Sequence, residues 1–540
     1  MSAWLESRKI LLGIVLLLLL PALAVAYATR PGPWIFSDSV EYMVSARNFL
    51  HGQGLGLIMP GGEFQPIYLH PPFYPFALAI GGALGLDLVM VARWMNILLF
   101  SFTVLMASGL LYYATRSYWL AAAAGLLTLT NPDFFWVSSG AMPEPLFYFL
   151  GLTSVLLLLL YFERQQAVYL VTAAVAAGIT VLTRFPGAAY IAAGLTGLLL
   201  FARGGWRRRL INAGVFAAIA GIPFLIWWVW VSSHPEAGSP RQWTFALADA
   251  WEKLTPFRIE FVNVVWDWLP FNNYLPDLSY RPKPRIMAVA LLALIVVIGL
   301  ALRRRDSDGQ YRWKSNRALQ LLVILLGVSV ASIAIVAIVF AFSTPALDAS
   351  DVEGRILLPL RLSLSLALLS AAYLVFEAWP RQRWTRWLTA AFTLLIVSWQ
   401  LPQTWKTASE LHDSGAGMLA WRNSDMLNQI EALPGDIPII SNESSTILYF
   451  LDRPTYDIPE LITREPTELF TRLGQADTEA DRIFREEGAA LALFYNAPYQ
   501  FYWIYFEDTE KRLSALTDGL YVHSTSGDGT VYFYEAPANQ

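Results

Sequence analysis

Two carboxylates, Asp38 and Glu41, stand three residues apart in the segment Phe36-Ser37-Asp38-Ser39-Val40-Glu41-Tyr42. On a helix that spacing puts both on one face. A carboxylate there can take a proton from an acceptor hydroxyl or hold a divalent cation. The plain alternative is helix capping. Ser37, Asp38 and Ser39 are good caps, and Glu41 completes a capping box from Asp38. Position alone leaves both readings open. The segment follows an apolar stretch, Ile10 to Ala28, that is long enough to cross a bilayer. A Pro-rich turn comes later, Tyr68-Leu69-His70-Pro71-Pro72-Phe73-Tyr74-Pro75.

Other chemistry-bearing residues sit at comparable places. Glu144, in Met142-Pro143-Glu144-Pro145, opens an apolar stretch, where an acid also interacts well with a helix dipole. Arg184 occupies the corner Leu182-Thr183-Arg184-Phe185-Pro186-Gly187, and Arg355 lies in Glu353-Gly354-Arg355-Ile356-Leu357-Leu358-Pro359. The planar fork of arginine binds phosphate well. The ordinary alternatives are snorkelling to lipid headgroups and, for Arg355, an ion pair with Asp351 or Glu353. His70 is a structural hydrogen-bonding residue or, protonated, a partner for phosphate. Asp306-Ser307-Asp308 has the Asp-x-Asp pattern of metal-dependent transferases, yet it stands in a basic loop away from every other candidate and reads as solvated loop.

The elements that must position these residues follow from composition. Of 540 residues 56% are hydrophobic and 15% charged, against about 25% charged in soluble domains. The mean hydropathy is +0.44. With repeated apolar runs near twenty residues, this describes a polytopic membrane protein. Eleven spans are expected, at roughly 10–28, 91–113, 118–136, 144–162, 167–183, 186–202, 210–231, 286–302, 317–342, 355–376 and 386–402. The N-terminal stretch resembles a signal peptide but is nearly full bilayer length, and it reads as a retained helix.

Arg8-Lys9, Arg116, Arg164, Arg203 with Arg207 to Arg209, Arg303 to Arg305, and Arg381 to Arg386 fall on alternate connections. The positive-inside rule makes that set cytoplasmic. Asp38, Glu41, His70, Arg93, Asp133, Glu144, Arg184, Asp348, Asp351, Glu353 and Arg355 then fall at the other bilayer face. Ionisable residues at span centres would cost about 2.5–3.5 kcal/mol each on insertion scales, and few occur there. The 21 Trp and 24 Tyr recur near span ends, as interfacial belts require.

Residues 403–540 change character. Strand-length apolar runs appear at Ile437 to Ile440, Leu491 to Tyr495 and Thr530 to Tyr534. Helical patterns lie at Thr478 to Glu487 and Glu507 to Leu516, and a Gly527-Asp528-Gly529 turn joins the terminal strands as a hairpin. The expected architecture is a mainly α, polytopic membrane domain over 1–402, with a first outer loop 29–90, followed by a small extracytoplasmic α/β domain over 403–540.

Several classes are excluded or disfavoured. There is no cysteine, hence no thiolate chemistry, disulfide or Cys-based metal site. No basic stripe with interleaved aromatics suggests nucleic acid. No Gly-rich phosphate loop is present, so a nucleotide donor has no visible site.

These segments resemble the GT-C glycosyltransferases, in the branch of dolichyl-phosphate-mannose protein mannosyltransferases and lipid A aminoarabinose transferases. FSDSVEYMVSARNFLHGQGL is similar to that family's first outer loop, and YLHPPFYPFALA to the loop's second half, which usually reads Lys-Pro-Pro. VARWMNILL, NPDFFWVSSGAMPEPLFYFL, VLTRFPGAAYI and EGRILLPL resemble later family segments in the same order, over most of residues 5–400. The tail segment PGDIPIISNESSTILYFLDRPTYDIPE resembles the outer domain of bacterial members.

The resemblance implies a membrane enzyme that moves a sugar from a polyprenyl-phosphate donor to a cell-envelope lipid, polysaccharide or exported protein, with inversion at the anomeric carbon. It implies Asp38 as the base, Glu41 as its neighbour, and Glu144 as a second carboxylate that orients the acceptor or a metal. Arg355, Arg184 and His70 become donor-phosphate contacts. Arg184 keeps the charge of the lysine usual at its corner, whereas His70 replaces a lysine with a titrating ring. The resemblance leaves open a divalent cation, Mg or Mn, held by Asp38 and Glu144. The implied location is the plasma (inner) membrane, with the site and the tail outside the cytoplasm. Trp227-Trp228 is followed by Val229, so the Trp-Trp-Asp-Tyr-Gly signature of oligosaccharyltransferases is absent. The competing readings are a transporter or flippase of lipid-linked sugars and a non-catalytic envelope scaffold. Transporter sites lie near the midplane on broken helices, often between internal repeats, and no repeat is evident here.

Overall fold

A computed structural model describes residues 2–34, 37–58, 64–233, 242–243, 247–270, 282–302, 316–344, 354–379, 383–413, 418–458, 479–495, 513–514 and 516–535. Asp348, Asp351, Glu353, the Asp306-Ser307-Asp308 pattern and most of the helical pattern Glu507 to Leu516 lie outside the described residues.

The described chain is mainly helical. It begins with α1 (Ser2–Ala28) and α2 (Ser37–Leu50), a strand pair β1 (Gly56–Ile58) and β2 (Phe64–Pro66), then α3 (Phe73–Ala83) and α4 (Leu88–Thr115). Next come α5 (Tyr118–Leu129), α6 (Pro132–Ser138), α7 (Glu144–Arg164), α8 (Ala167–Thr183), a 3-10 turn (Phe185–Gly187), α9 (Ala188–Phe201) and α10 (Trp206–Ser232). Then follow β3 (Gln242–Trp243), α11 (Leu247–Asp267), α12 (Pro282–Leu302), α13 (Arg317–Phe342), β4 (Ser343–Thr344), α14 (Gly354–Ala378) and α15 (Arg383–Asp413). Among the described residues, six helices are long and apolar enough to cross a membrane: α1, α4, α7, α10, α13 and α14. Leu11, Leu23, Ile226 and Val229 are exposed, as a bilayer solvent allows and water does not.

One expected span is broken. The stretch 118–136 forms α5 and α6 because Pro132 has no N–H to extend the first helix. Asn131 restarts the chain, its Oδ1 accepting from the Phe134 N–H at 3.1 Å. The last helix runs beyond 402 to Asp413 with Pro402 inside it, and it is held to the α5 end where Thr404 Oγ1 donates to the Thr130 carbonyl at 2.7 Å.

The chain divides into two units. The first holds Met1–Arg30, Tyr68–Ala77 and Met90–Ser414, and the second Pro31–Ile67, Leu78–Val89 and Gly415–Gln540. The first unit is a helical bundle around one core of Phe100, Phe134, Phe147, Tyr148, Leu158, Phe216, Leu325 and their neighbours. Small residues bring its helices together. A Cβ added at Gly178 of α8 would stand 2.9 Å from the Ala220 carbonyl of α10, the close approach typical of membrane helix pairs.

The second unit carries α2, β1 and β2 together with C-terminal elements. These are α16 (Met418–Trp421), α17 (Asp425–Ala432), β5 (Ile439–Ser441), α18 (Ser444–Leu451), β6 (Thr455–Asp457), α19 (Glu479–Glu486), β7 (Ala490–Phe494), β8 (Tyr521–Thr525) and β9 (Gly529–Phe533). The five strands form one sheet in the order β6-β5-β7-β9-β8. β6, β5 and β7 are parallel, while β9 is antiparallel to β7 and β8. Period-two alternation sends Ile440, Leu491 and Leu493 into one core and Ile439, Ala490, Ala492 and Phe494 into the other. Helix α2 is tied into this unit by Arg47, whose guanidinium donates to the Tyr449 carbonyl (2.6 Å), the Leu448 carbonyl (3.1 Å) and Asp452 (2.6 Å).

Candidate functional site

Three separate stretches of the bundle converge on Glu144. The carboxylate opens α7 between Pro143 and Pro145 and is fully buried. The segment before it is held by Asn96 of α4, whose Nδ2 donates to the Gly140 carbonyl at 2.7 Å and the Met142 carbonyl at 3.0 Å. Helix α8 stops at Thr183 because Pro186 lacks the N–H that would continue it. Arg184 is left in extended conformation, and its Nη1 donates to Glu144 Oε1. Arg355, in the first turn of α14, donates from Nε to the same oxygen at 2.6 Å.

Glu144 thus binds two guanidiniums through Oε1, while its buried Oε2 has no hydrogen-bond partner among the described residues. The three groups carry a surplus of one positive charge. The arginine side chains keep 19% and 12% of their exposure, so the cationic side of the cluster is the side a ligand can reach. Tyr74 of α3 stands beside it. Burial first, then the neighbouring Glu144 carboxylate, push its hydroxyl above the usual range, with Asn96 working the other way.

A second ion pair lies next to the first on the same helix. Arg361 of α14, buried, bonds Asp133 of α6 and lies over the Trp268 ring with 5.5 Å to the centroid. A Cβ at Gly354 would meet Asp133 Oδ2 at 2.8 Å, so the carboxylate abuts the start of α14, where the helix dipole favours it. Arg361 was not among the sequence candidates. Its signal was there, since an arginine within an apolar helix needs a buried partner.

The other candidates are placed as follows. Asp38 and Glu41 both lie on α2, in the second unit, half-buried, with Asp38 in the first turn of the helix rather than before it. His70 is half-buried in the segment leading to α3, in the first unit. Among the described residues no three His, Asp or Glu side chains group as a metal site. Two guanidiniums on Glu144 repel a cation, so the residues present do not fit a metal held there.

The family profile of dolichyl-phosphate-mannose-protein mannosyltransferases matches residues 69–228, which include His70, Glu144 and Arg184. No curated protein sequence matches the chain. Among solved structures, ArnT from Cupriavidus metallidurans bound to undecaprenyl phosphate is 15% identical with a TM-score of 0.51, over 97% of this chain and 98% of that one. The Archaeoglobus fulgidus oligosaccharyltransferase in its apo form is 13% identical with a TM-score of 0.51, over 97% and 75%. The arabinofuranosyltransferase AftD from Mycobacteria is 15% identical with a TM-score of 0.54, over 97% of this chain and 40% of that one. At these identities the likeness is one of fold, shared with these transferases.

Proposed function

We propose that this GT-C chain is a membrane glycosyltransferase that moves a sugar from a polyprenyl-phosphate donor to a cell-envelope acceptor with inversion. The observation that carries the reading is the paired arginines on buried Glu144. In the reaction an acceptor hydroxyl attacks the anomeric carbon, the bond from that carbon to the phosphate oxygen breaks, and polyprenyl phosphate leaves. Negative charge grows on the phosphate as the bond breaks, and preoriented cations stabilise it most where water is excluded. Arg184 and Arg355 supply those cations, and Glu144 orients them. Asp38 takes the acceptor proton, Glu41 supports it, and His70 adds a donor-phosphate contact when protonated. The ArnT relative was solved with undecaprenyl phosphate, which supports a donor of that chemical class.

The same reading makes 1–402 an eleven-span catalytic domain in the inner membrane. It makes 403–540 an extracytoplasmic domain. The test uses the full chain in nanodiscs with a polyprenyl-phosphate sugar and measures release of polyprenyl phosphate. Asp38→Asn abolishes release while donor binding persists. Undiminished release sinks the assignment. A transporter, the second reading, translocates the lipid-linked sugar and releases no polyprenyl phosphate. Glycan and glycolipid mass spectrometry of cells with and without the gene identifies the sugar and acceptor from the missing increment.

A further inference from the structure

The far end of the bundle carries a second cationic site. Glu144 and Glu163 sit at opposite ends of α7, about 28 Å apart at 1.5 Å per residue. Around Glu163 the ends of α7, α9, α10 and α13 enclose a cavity of about 240 Å³. Phe162 and Phe201 form an apolar floor, and Glu163, Arg203, Arg209 and Arg317 line the rest. Three arginines against one glutamate leave two positive charges in excess.

Glu163 is already engaged, accepting from Arg317 and from the Tyr113 hydroxyl. Arg317 also lies over the Tyr113 ring, 4.8 Å from its centroid. Arg209 spends Nη1 on the Leu199 carbonyl at 3.0 Å and the Leu200 carbonyl at 3.3 Å, closing the end of α9. Its Nε is buried without a hydrogen-bond partner among the described residues. Arg203 is exposed. The site therefore carries more guanidinium charge than Glu163 neutralises, with Arg203 open to a ligand.

The volume decides the kind of ligand. Pockets for whole small molecules run to about 300–1,000 Å³, so this one suits a headgroup rather than a nucleotide. Trp206 and Tyr118 are exposed at the same end of the bundle, as at the headgroup level of a bilayer. Basic pockets between membrane helices recognise anionic headgroups through charge-assisted bonds to phosphate.

We infer that this cavity binds the phosphate of an anionic phospholipid, at the end of the bundle remote from Glu144. The site is independent of the proposed sugar transfer.

Native mass spectrometry of the full chain, released from nanodiscs of phosphatidylcholine with added phosphatidylglycerol, tests it. Wild type retains phosphatidylglycerol in preference to phosphatidylcholine. Arg203→Gln and Arg317→Gln each lower that retention about fivefold, the equivalent of one surface charge. Arg386→Gln, which neutralises an exposed arginine outside the cavity, leaves it unchanged. Should Arg317→Gln fail to fold, Arg203→Gln carries the test, because that side chain makes no hydrogen bond or ion pair among the described residues. Displacement of the lipid by millimolar inorganic phosphate supports recognition through its phosphate, whereas bound inorganic phosphate with no phosphatidylglycerol retained overturns the lipid as the occupant. Lipid retention equal in wild type and both cavity variants overturns the proposal.

Discussion

Replacing Glu144 by Gln keeps the shape of the side chain and removes its charge. Two guanidiniums that now share Oε1, one of them at 2.6 Å, would lose their counter-charge in a place where the carboxylate has no solvent exposure. Breaking a buried ion pair from one side costs about 3–5 kcal/mol, because the remaining charge is left uncompensated. An exposed pair would cost about 1 kcal/mol or less, so burial decides the magnitude. For domains of 150–250 residues, 1 kcal/mol moves the melting temperature by about 2–4 °C, and by less in a longer chain. We therefore expect Glu144→Gln to lower the melting temperature of the detergent-solubilised protein by about 5 °C. Transfer should also fall by about 10²–10³-fold, the scale for losing one preoriented electrostatic contact. Asp38→Asn should lower melting by less than Glu144→Gln does, because Asp38 is half-buried whereas Glu144 is fully buried. A Glu144→Gln protein with unchanged melting and unchanged turnover would refute the argument that this cluster is both buried and functional.

Two further perturbations follow from the same physics. Asp133→Asn and Arg361→Met should each destabilise the bundle by about 3 kcal/mol, while the double variant costs less than either single change. A double-mutant cycle read by thermal unfolding checks the coupling, and additive losses would mean the pair does not interact. In the second unit, Arg47→Ala removes two bonds to backbone carbonyls as well as one to Asp452. Asp452→Asn removes only the charge contact of a side chain that is 71% exposed, and asparagine keeps the left-handed conformation of that position. Limited proteolysis should therefore cut Arg47→Ala faster, consistent with about 1–3 kcal/mol for orphaned polar partners. Asp452→Asn should behave as wild type.

Much of the helical layout is written in local pattern. The stretch 167–183 is read from its apolar run, and α8 has the same limits, with Pro186 just beyond them. The stretch 317–342 likewise coincides with α13. Apolar length and a proline stop are properties of neighbouring residues, so they can be read along the chain. The break at Asn131-Pro132 was legible in principle, because a cap followed by proline restarts a helix, but the surrounding apolar run hid it. The strands β7 and β9 declare themselves through short apolar runs, and the Gly-Asp-Gly turn before β9 marks its hairpin with β8. Their order in the sheet depends on pairing between distant segments and was not readable.

Residue types at Glu144, Arg184 and Arg355 marked them individually as candidates. Only the tertiary structure put two guanidiniums on one oxygen of that carboxylate, because 40 and 211 residues separate the partners. Glu144 consequently changes from a free acid at a helix start to the group that orients two cations. The Arg361–Asp133 pair and the cavity around Glu163 were decided the same way, by helices packing side by side. Sequence determines which charges lie near helix ends, since that depends on local hydropathy. Which of them meet, and which donor is left over, depends on the packing of segments far apart in the chain.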